Sequence, residues 1–380
     1  MRICKIYDDD YPWDVRIEKI GRALVEDGHQ VFLATRNRKR AQTYEYVDTM
    51  DVWRMPPIEQ LPAHVDVSLM FPAFFSPRWL GHIWNVATRN RCEAILVRDL
   101  PLALTGIAVG KKLGIPVVLD MAENYPAALR AIHTHKNPTI ADHLARNPAF
   151  AQMVEDLSLS MLDHTLVVCD ENRDRLITKG VAPSKVTVVG NTPDLRFFEP
   201  SAENKEVEER FKDHFVMTYV GAIDPFRGLD TLIEAIPIIR EKIPNFKLAI
   251  LGKGHGEARV EELARKGGVA DAIDKIGFRP LRELPDWIGA SQICVIPHHR
   301  NEHIDTTLPN KLFDYMALAR PVLSTDAIPL KRIIESEGSG FVYRSGDAKD
   351  VAEKVFELAD DELRAKMGEA GSLAVRERYN

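Results

Sequence analysis

Short apolar runs alternate with amphipathic ones along this chain, and the series runs twice. RICKIY is followed by the helical stretch VRIEKIGRALVEDG and by HQVFLATR. AILVRD, LALTGIAVGKKLG and PVVLD repeat the unit, and HTLVVCD, DRLITKG and KVTVVGN close the first series. A charged, proline-bearing stretch without periodicity, NTPDLRFFEPSAENKEVEE (191–209), reads as a linker. The alternation then restarts at FVMTYVG and runs to a last helical stretch, VAEKVFELADDELRAKMGEAGSLAVRER. Parallel strands need a crossover, usually a helix, so the pattern dictates parallel sheets covered by helices on both faces. The expected fold is α/β with two doubly wound, Rossmann-like domains facing a cleft. They span 1–195 and 196–365, and 366–380 forms a terminal helix packed back on the first domain.

Bulk properties narrow the class. Hydrophobic residues make up 45% and charged residues 28% of the 380 positions, the profile of a globular protein with full cores. A formal charge of −6 argues against nucleic acid as a partner, which calls for a basic surface. Cys4, Cys92, Cys169 and Cys294 are far apart and show no metal-binding spacing, so reduced core thiols are expected. The start MRICKIYDDD lacks the apolar core of a signal peptide, and LPLALTGIAVG is too short to cross a bilayer. These features suit a cytoplasmic protein.

Chemistry concentrates in the second half. In TTLPNKLFDYMALARPVLSTD (306–326), Pro309 suits a helix start, and Leu312, Phe313, Met316 and Ala319 form an apolar stripe over NKLFDYMALA. Arg320-Pro321 stops that helix ahead of the strand VLSTD. Its N–H groups at Asn310, Lys311 and Leu312, with Thr306, Thr307 and the Lys311 ammonium, make an anion site of the kind that holds phosphate. Asp314, one turn further, could reach the hydroxyls of an attached sugar. The alternative is an ordinary helix with a solvated Lys and Asp.

Two loops after strands extend the pattern. In TYVGAIDPFRG, Gly221 permits close backbone approach, and Arg227 could present a forked donor set to a phosphate or sit on the surface. ILGKGHGEA places Gly252, Gly254 and Gly256 in a G-x-G-x-G run that misses the dinucleotide fingerprint and has no acidic partner after the next strand. This argues against a dehydrogenase and for a loop that lets a nucleotide approach. Gly277 and Phe278 follow the next strand in KIGF. Together these segments describe a nucleotide-diphosphate pocket.

GAIDPFRGLDTLIEA, ILGKG, KIGF and LPNKLFDYMALARPVLSTD resemble, in order, the donor domain of glycosyltransferase family 4 between about Phe215 and Val342. DYPWDVRIEKIGRALVEDGHQV, ILVRDLPLAL, GIPVVLDMAENYP and VVGNTPD look, more loosely, like its acceptor domain. The resemblance implies a retaining, nucleotide-sugar-dependent enzyme of the GT-B fold, acting in surface polysaccharide or glycoconjugate synthesis. It makes Arg227 a diphosphate ligand and gives Asp314 the second carboxylate of the family's E-x7-E pattern. Three family positions depart: a His falls on Ala122, an Arg on Ala222 and the first Glu on Thr306. Glu123 and Asn124 stand beside the lost His as substitutes, and Asp14 and Arg16 are expected to face the acceptor. Arg227, Lys311 and Glu123 are the expected catalytic residues.

No cofactor and no metal is expected. His298, His299 and His303 cluster without matching carboxylates, and the acidic DDDYPWD loop has no clean metal spacing. The partners are a nucleotide sugar and a glycan or lipid-linked acceptor. The stretch 71–91 holds Phe74, Phe75, Trp79 and Trp84 with Arg78, Arg89 and Arg91 and no acid, so it reads either as an interfacial helix on anionic lipid or as a core helix with a basic edge. Two other functions stay open at this level: a GT-B-like sugar-nucleotide epimerase and a non-catalytic nucleotide-binding subunit.

Overall fold

The computed structural model describes residues 1–12, 14–70, 74, 76–135, 146–198 and 204–380. It divides into two units, Met1–Val189 and Gly190–Asn380. The first holds β1 (Arg2–Tyr7), β2 (Gln30–Thr35), β3 (Tyr44–Val47), β4 (Met50–Arg54), β5 (Ala94–Arg98), β6 (Val117–Met121), β7 (His164–Val167) and β8 (Val186–Val188), in the order β3-β4-β2-β1-β5-β6-β7-β8. All neighbours are parallel except β3 and β4. Period-2 alternation splits β1 between two faces. Cys4 and Ile6 join the large core with Ile95 and Val97 across from them, while Lys5 and Tyr7 point to the other face.

The second unit holds β9 (Phe215–Val220), β10 (Phe246–Leu251), β11 (Ile273–Gly277), β12 (Ile293–Ile296), β13 (Val322–Thr325) and β14 (Gly340–Tyr343), all parallel in the order β11-β10-β9-β12-β13-β14. Met217 and Tyr219 of β9 pack with helix Leu229–Arg240, and Val216 packs on the opposite face with Phe211 and Trp287.

Three elements differ from expectation. The β3–β4 hairpin was unforeseen: Asp48 and Thr49 both adopt positive φ, 49° and 75°, the turn whose twist matches an antiparallel pair. The linker is shorter than 191–209, because Asn204 caps a helix at Lys205–Phe211 whose Val207 and Phe211 are buried; residues 199–203 lie outside the described set. The final stretch is two helices, Ala348–Glu357 and Asp361–Arg378. The second of these spends its buried face inside the second unit, against helix Lys311–Ala317 and β14.

Candidate functional site

In an open parallel sheet, loops leave in opposite directions where the strand order reverses, and a crevice forms at the carboxyl ends. The second unit reverses between β9 and β12, the first between β1 and β5.

Arg227 sits at the β9/β12 point. Pro225 opens a short 3-10 turn, Pro225–Arg227, closed by Gly228 at φ 72°. Only glycine fits there, because a Cβ would lie 1.7 Å from the Pro297 carbonyl oxygen. The turn is thereby held against the loop after β12, where the His299 amide donates to the Phe226 carbonyl at 3.3 Å. The Arg227 Nη1 lies 3.2 Å from His298 Nε2. Its Nε is buried and has no hydrogen-bond partner among the described residues.

Lys311 opens the helix Lys311–Ala317, and its ammonium lies 4.6 Å from the Tyr219 ring centre. It fills the space beside Gly221, where a Cβ would stand 2.5 Å from Nζ. One turn on, the Tyr315 hydroxyl accepts the Val220 amide at 3.0 Å. The helix is thus fastened to the end of β9 through both residues. Burial, then Arg227, push the Lys311 ammonium well below its ordinary value, against the pull of Asp314. His298 is buried. That burial, with Lys311, Arg227, His303 and His299 around it, pushes the ring well below the usual imidazole value. It is therefore neutral, and its Nε2 accepts from Arg227.

The structure places Thr307, Asn310 and Asp314 partly buried around this helix start. Other expected roles change. Leu312 is wholly buried and its amide donates to the Pro309 carbonyl at 3.3 Å, so it is a core residue, not a phosphate donor. The helix is also shorter than NKLFDYMALA. Gly252 and Gly254 serve loop packing: Cβ atoms there would lie 1.9 Å from the Gly221 oxygen and 2.2 Å from the Ile223 oxygen. The loops after β9 and β10 zip together through Gly221 N–H to Leu251 O and Gly256 N–H to Ile223 O, at 2.9 and 2.7 Å. Gly277 at φ 81° turns the chain out of β11, and Phe278 is 60% exposed. Asp305, beside Thr306, offers no replacement carboxylate: Arg300 and the Ile328 amide hold it, at 3.0 and 3.1 Å.

In the first unit, two expected acceptor-side residues are structural. Arg16 is buried and forks onto Asp120 at 2.6 and 2.9 Å, while its other N–H groups reach the Val189 carbonyl at 3.1 Å. Asn124 is fully buried and its carbonyl oxygen accepts the Ala127 amide at 3.3 Å. Asp14 caps the first helix by accepting the Ile17 amide at 2.9 Å. Glu123 is exposed past the end of β6.

A residue the sequence did not flag, Asp99, ends β5 with φ 60° and ψ 170°, a region few non-glycine residues enter. Its amide donates to the Asp120 carbonyl at 3.0 Å, and its carboxylate accepts from the Ala122 amide at 2.9 Å and from Arg98 at 2.6 Å. Burial pushes it up to about 6, with Glu123 and Asp120 adding and Arg98 opposing. Nothing in RDLP signals this knuckle, which fixes the turn bearing Glu123. A cavity of about 440 Å³ opens at the ends of β1 and β2, lined by Tyr7, Asp9, Asp10, Pro12, Arg38 and Lys39.

Two of the three clustered histidines bond neighbouring side chains. His298 serves Arg227, and His299 bonds Asp230 at 2.9 Å, which raises its ring value. No group of three metal-ligating side chains converges among the described residues. In the stretch 71–91, residues 71–73 and 75 lie outside the described set. Phe74 and Trp79 belong to the core, while Arg78 is partly buried and pairs with Asp66 at 2.6 Å. Leu80 and Trp84 stay exposed on the other side of helix Pro77–Arg89. No described helix is long and apolar enough to cross a membrane.

Residues 14–192 match the glycosyl transferase 4-like domain, and residues 200–373 match glycosyl transferases group 1. The chain is 24% identical over 241 residues to the capsular polysaccharide biosynthesis glycosyltransferase CapM of Staphylococcus aureus, covering 60% of each chain. It thus spans less than two thirds of that relative's length. Among solved structures it resembles sucrose-phosphate synthase from Thermosynechococcus elongatus, with a TM-score of 0.79, 17% identity and coverage of 100% of this chain and 95% of the other. HepE of Anabaena in complex with UDP-glucose follows at 0.73, with 13% identity and coverage of 100% and 96%.

Proposed function

Since the chain belongs to the GT-B glycosyltransferases, with a 4-like half followed by a group 1 half, we propose that it moves a sugar from a nucleotide-diphosphate sugar to an acceptor hydroxyl with retention and without a divalent metal. One observation carries the donor side. At the β9/β12 switch point Arg227 is held by one end on a neutral imidazole, and its buried Nε faces no described partner. Beside it, Lys311 is destabilised as a cation partly by Arg227 itself. Both features are relieved by an anion, and a diphosphate suits two cations of which one disfavours the other.

In this reading the bond from the anomeric carbon to the phosphate oxygen breaks as Arg227 and Lys311 take up the growing charge. The acceptor oxygen bonds to the same face, and its proton passes to the departing phosphate. Asp314 holds ribose hydroxyls, and Phe278 offers the base an exposed aromatic face. On the acceptor side, Glu123 stands on the turn fixed by Asp99, next to Ala122. The similarity to CapM and the UDP-glucose complex of HepE support a nucleotide sugar as donor and a glycan or lipid-linked acceptor. The enzyme works in the cytoplasm, with peripheral membrane contact through Leu80 and Trp84.

A panel of nucleoside-diphosphate sugars screened by thermal shift, then by turnover in EDTA with anomeric proton NMR of the product, tests this. At least one donor is expected to stabilise the protein and to be consumed in EDTA with its anomeric configuration kept. Activity lost in EDTA and restored by magnesium or manganese would remove the metal-free mechanism, and inversion would remove retention. A protein that no donor stabilises would remove the donor site.

A further inference from the structure

We propose that His298 is a positioning residue for Arg227, its imidazole lone pair fixing the guanidinium that meets the diphosphate. The proposal rests on the donor site assigned above and adds a residue to it.

Three independent contacts fasten the Arg227 turn to the loop after β12. Gly228 lies against the Pro297 carbonyl, the His299 amide reaches the Phe226 carbonyl, and His298 Nε2 takes an N–H from Arg227 Nη1 at 3.2 Å. The first two hold the backbone of the turn. Only the third holds the side chain, which has three further rotatable bonds beyond Cβ and would otherwise lose entropy when a ligand ordered it. The Phe226 ring lies under the guanidinium at 5.0 Å and limits tilt but not rotation in its plane. Rotation is stopped by the bond to His298.

The imidazole is suited to this task because it can accept without carrying charge. A carboxylate in its place would neutralise Arg227 and compete with the phosphate. A lysine would repel it. Charge on His298 is opposed from every side: Lys311 on helix Lys311–Ala317, Arg227 on the turn, and His299 and His303 on its own loop, with burial added. The ring thus keeps the Nε2 lone pair for Arg227 and leaves the guanidinium's full charge for the ligand. A residue that merely filled space would need no such tautomer.

The test measures UDP binding by calorimetry and donor turnover for the full-length protein and three variants. Arg227→Ala first checks the donor site itself and is expected to abolish binding. His298→Phe keeps the ring volume and removes the acceptor. It is expected to weaken UDP binding about tenfold and to lower kcat as well, as the loss of a charge-assisted hydrogen bond does. His298→Gln restores an acceptor oxygen and is expected to stay within about threefold of the parent.

Parental UDP affinity in a folded His298→Phe, while Arg227→Ala fails to bind, would overturn the positioning role and leave the donor site standing. Parental affinity in Arg227→Ala would overturn the donor site itself. Should His298→Phe not fold, the nitrogen NMR signals of His298 in the parent decide: an unprotonated Nε2 at neutral pH is expected, and a protonated one overturns the proposal.

Discussion

Lys311 is a cation that its own surroundings disfavour, and this gives the proposed donor site a pH signature. Burial and Arg227 hold its value well below the ordinary one, so a bound diphosphate, which favours the charged form, must raise it. Binding should therefore take up protons, and UDP affinity should fall as pH rises through the value Lys311 has in the free protein. Calorimetry in buffers of different ionisation enthalpy checks this; no proton uptake at any pH would place Lys311 away from the phosphates. Lys5 titrates in the same direction for structural reasons. It is wholly buried, and burial lowers it from 10.5 to about 8 despite the attraction of Asp120. Its charge therefore burdens the fold below pH 8, and the burden lifts as pH rises from about 8 to 10.5. Lys5→Met should gain roughly 1–3 kcal/mol in urea unfolding at pH 7, a figure in which the attraction of Asp120 is already counted. Arg16→Leu should lose about 3–5 kcal/mol by stranding Asp120. Equal effects of the two would contradict the charge assignment. Residue type was legible for Arg16 and Asn124, but role was not. The partner of Arg16 lies at Asp120, far along the chain, and a sequence read locally cannot tell a buried ion pair from a ligand. Asp99 escaped for the opposite reason, since its strain exists only once β5 and β6 are side by side.

Helix Lys311–Ala317 carries Lys311, the lysine proposed to meet the phosphates, and is seated by helix Asp361–Arg378. The seat is close: a Cβ on Gly368 would lie 2.1 Å from the Ala319 carbonyl oxygen, and one on Gly371 would lie 3.2 Å from Met316 and Ser339 side chains. Tyr379 adds a ring contact to Phe313 at 4.9 Å. Gly368→Leu must push the terminal helix away, so melting temperature and UDP affinity should fall together, the latter about tenfold through a displaced Lys311. A variant that melts early but binds UDP as the parent does would separate this helix from the site. Amphipathic spacing made the helix Pro77–Arg89 legible but not which aromatic side chains it buries. Trp79 lies in the core and Trp84 outside, so the lipid test belongs to the outer face. Leu80→Ser with Trp84→Ser should abolish co-sedimentation with phosphatidylglycerol vesicles and leave folding unchanged, since neither contributes to the core. Undiminished sedimentation would show that this face has no part in membrane contact. The glycine run after β10 was legible as a place of close approach. What approaches is the loop after β9, a neighbour that sheet order supplies and sequence order hides.

Parallel architecture is the part of this molecule most plainly written in its sequence, because a βα repeat leaves few ways to pair strands. The antiparallel β3–β4 hairpin and the early start of helix Lys205–Phe211 were not, since each rests on only one or two residues, Asp48-Thr49 for the first and Asn204 for the second. The division into two units, each with its own core, fixes how a ligand should be felt. Every group assigned to the diphosphate comes from the second unit, after β9, β12 and the loop before Lys311. UDP at about a hundredfold excess over its Kd should add about 2.7 kcal/mol to the state that binds it. For a unit of this size that is a rise of roughly 5–10 °C in its melting temperature. Hydrogen exchange locates the gain. Protection should rise in 221–228, 297–299 and 310–315, and in 252–256 through the zipped loops, while 94–124 of the first unit stays as it was. Arg227→Ala should show none of these changes at the same UDP concentration. Protection centred on 94–124 would mean that the nucleotide sits at the β1/β5 switch point, and the donor and acceptor assignments of the two units would have to be exchanged.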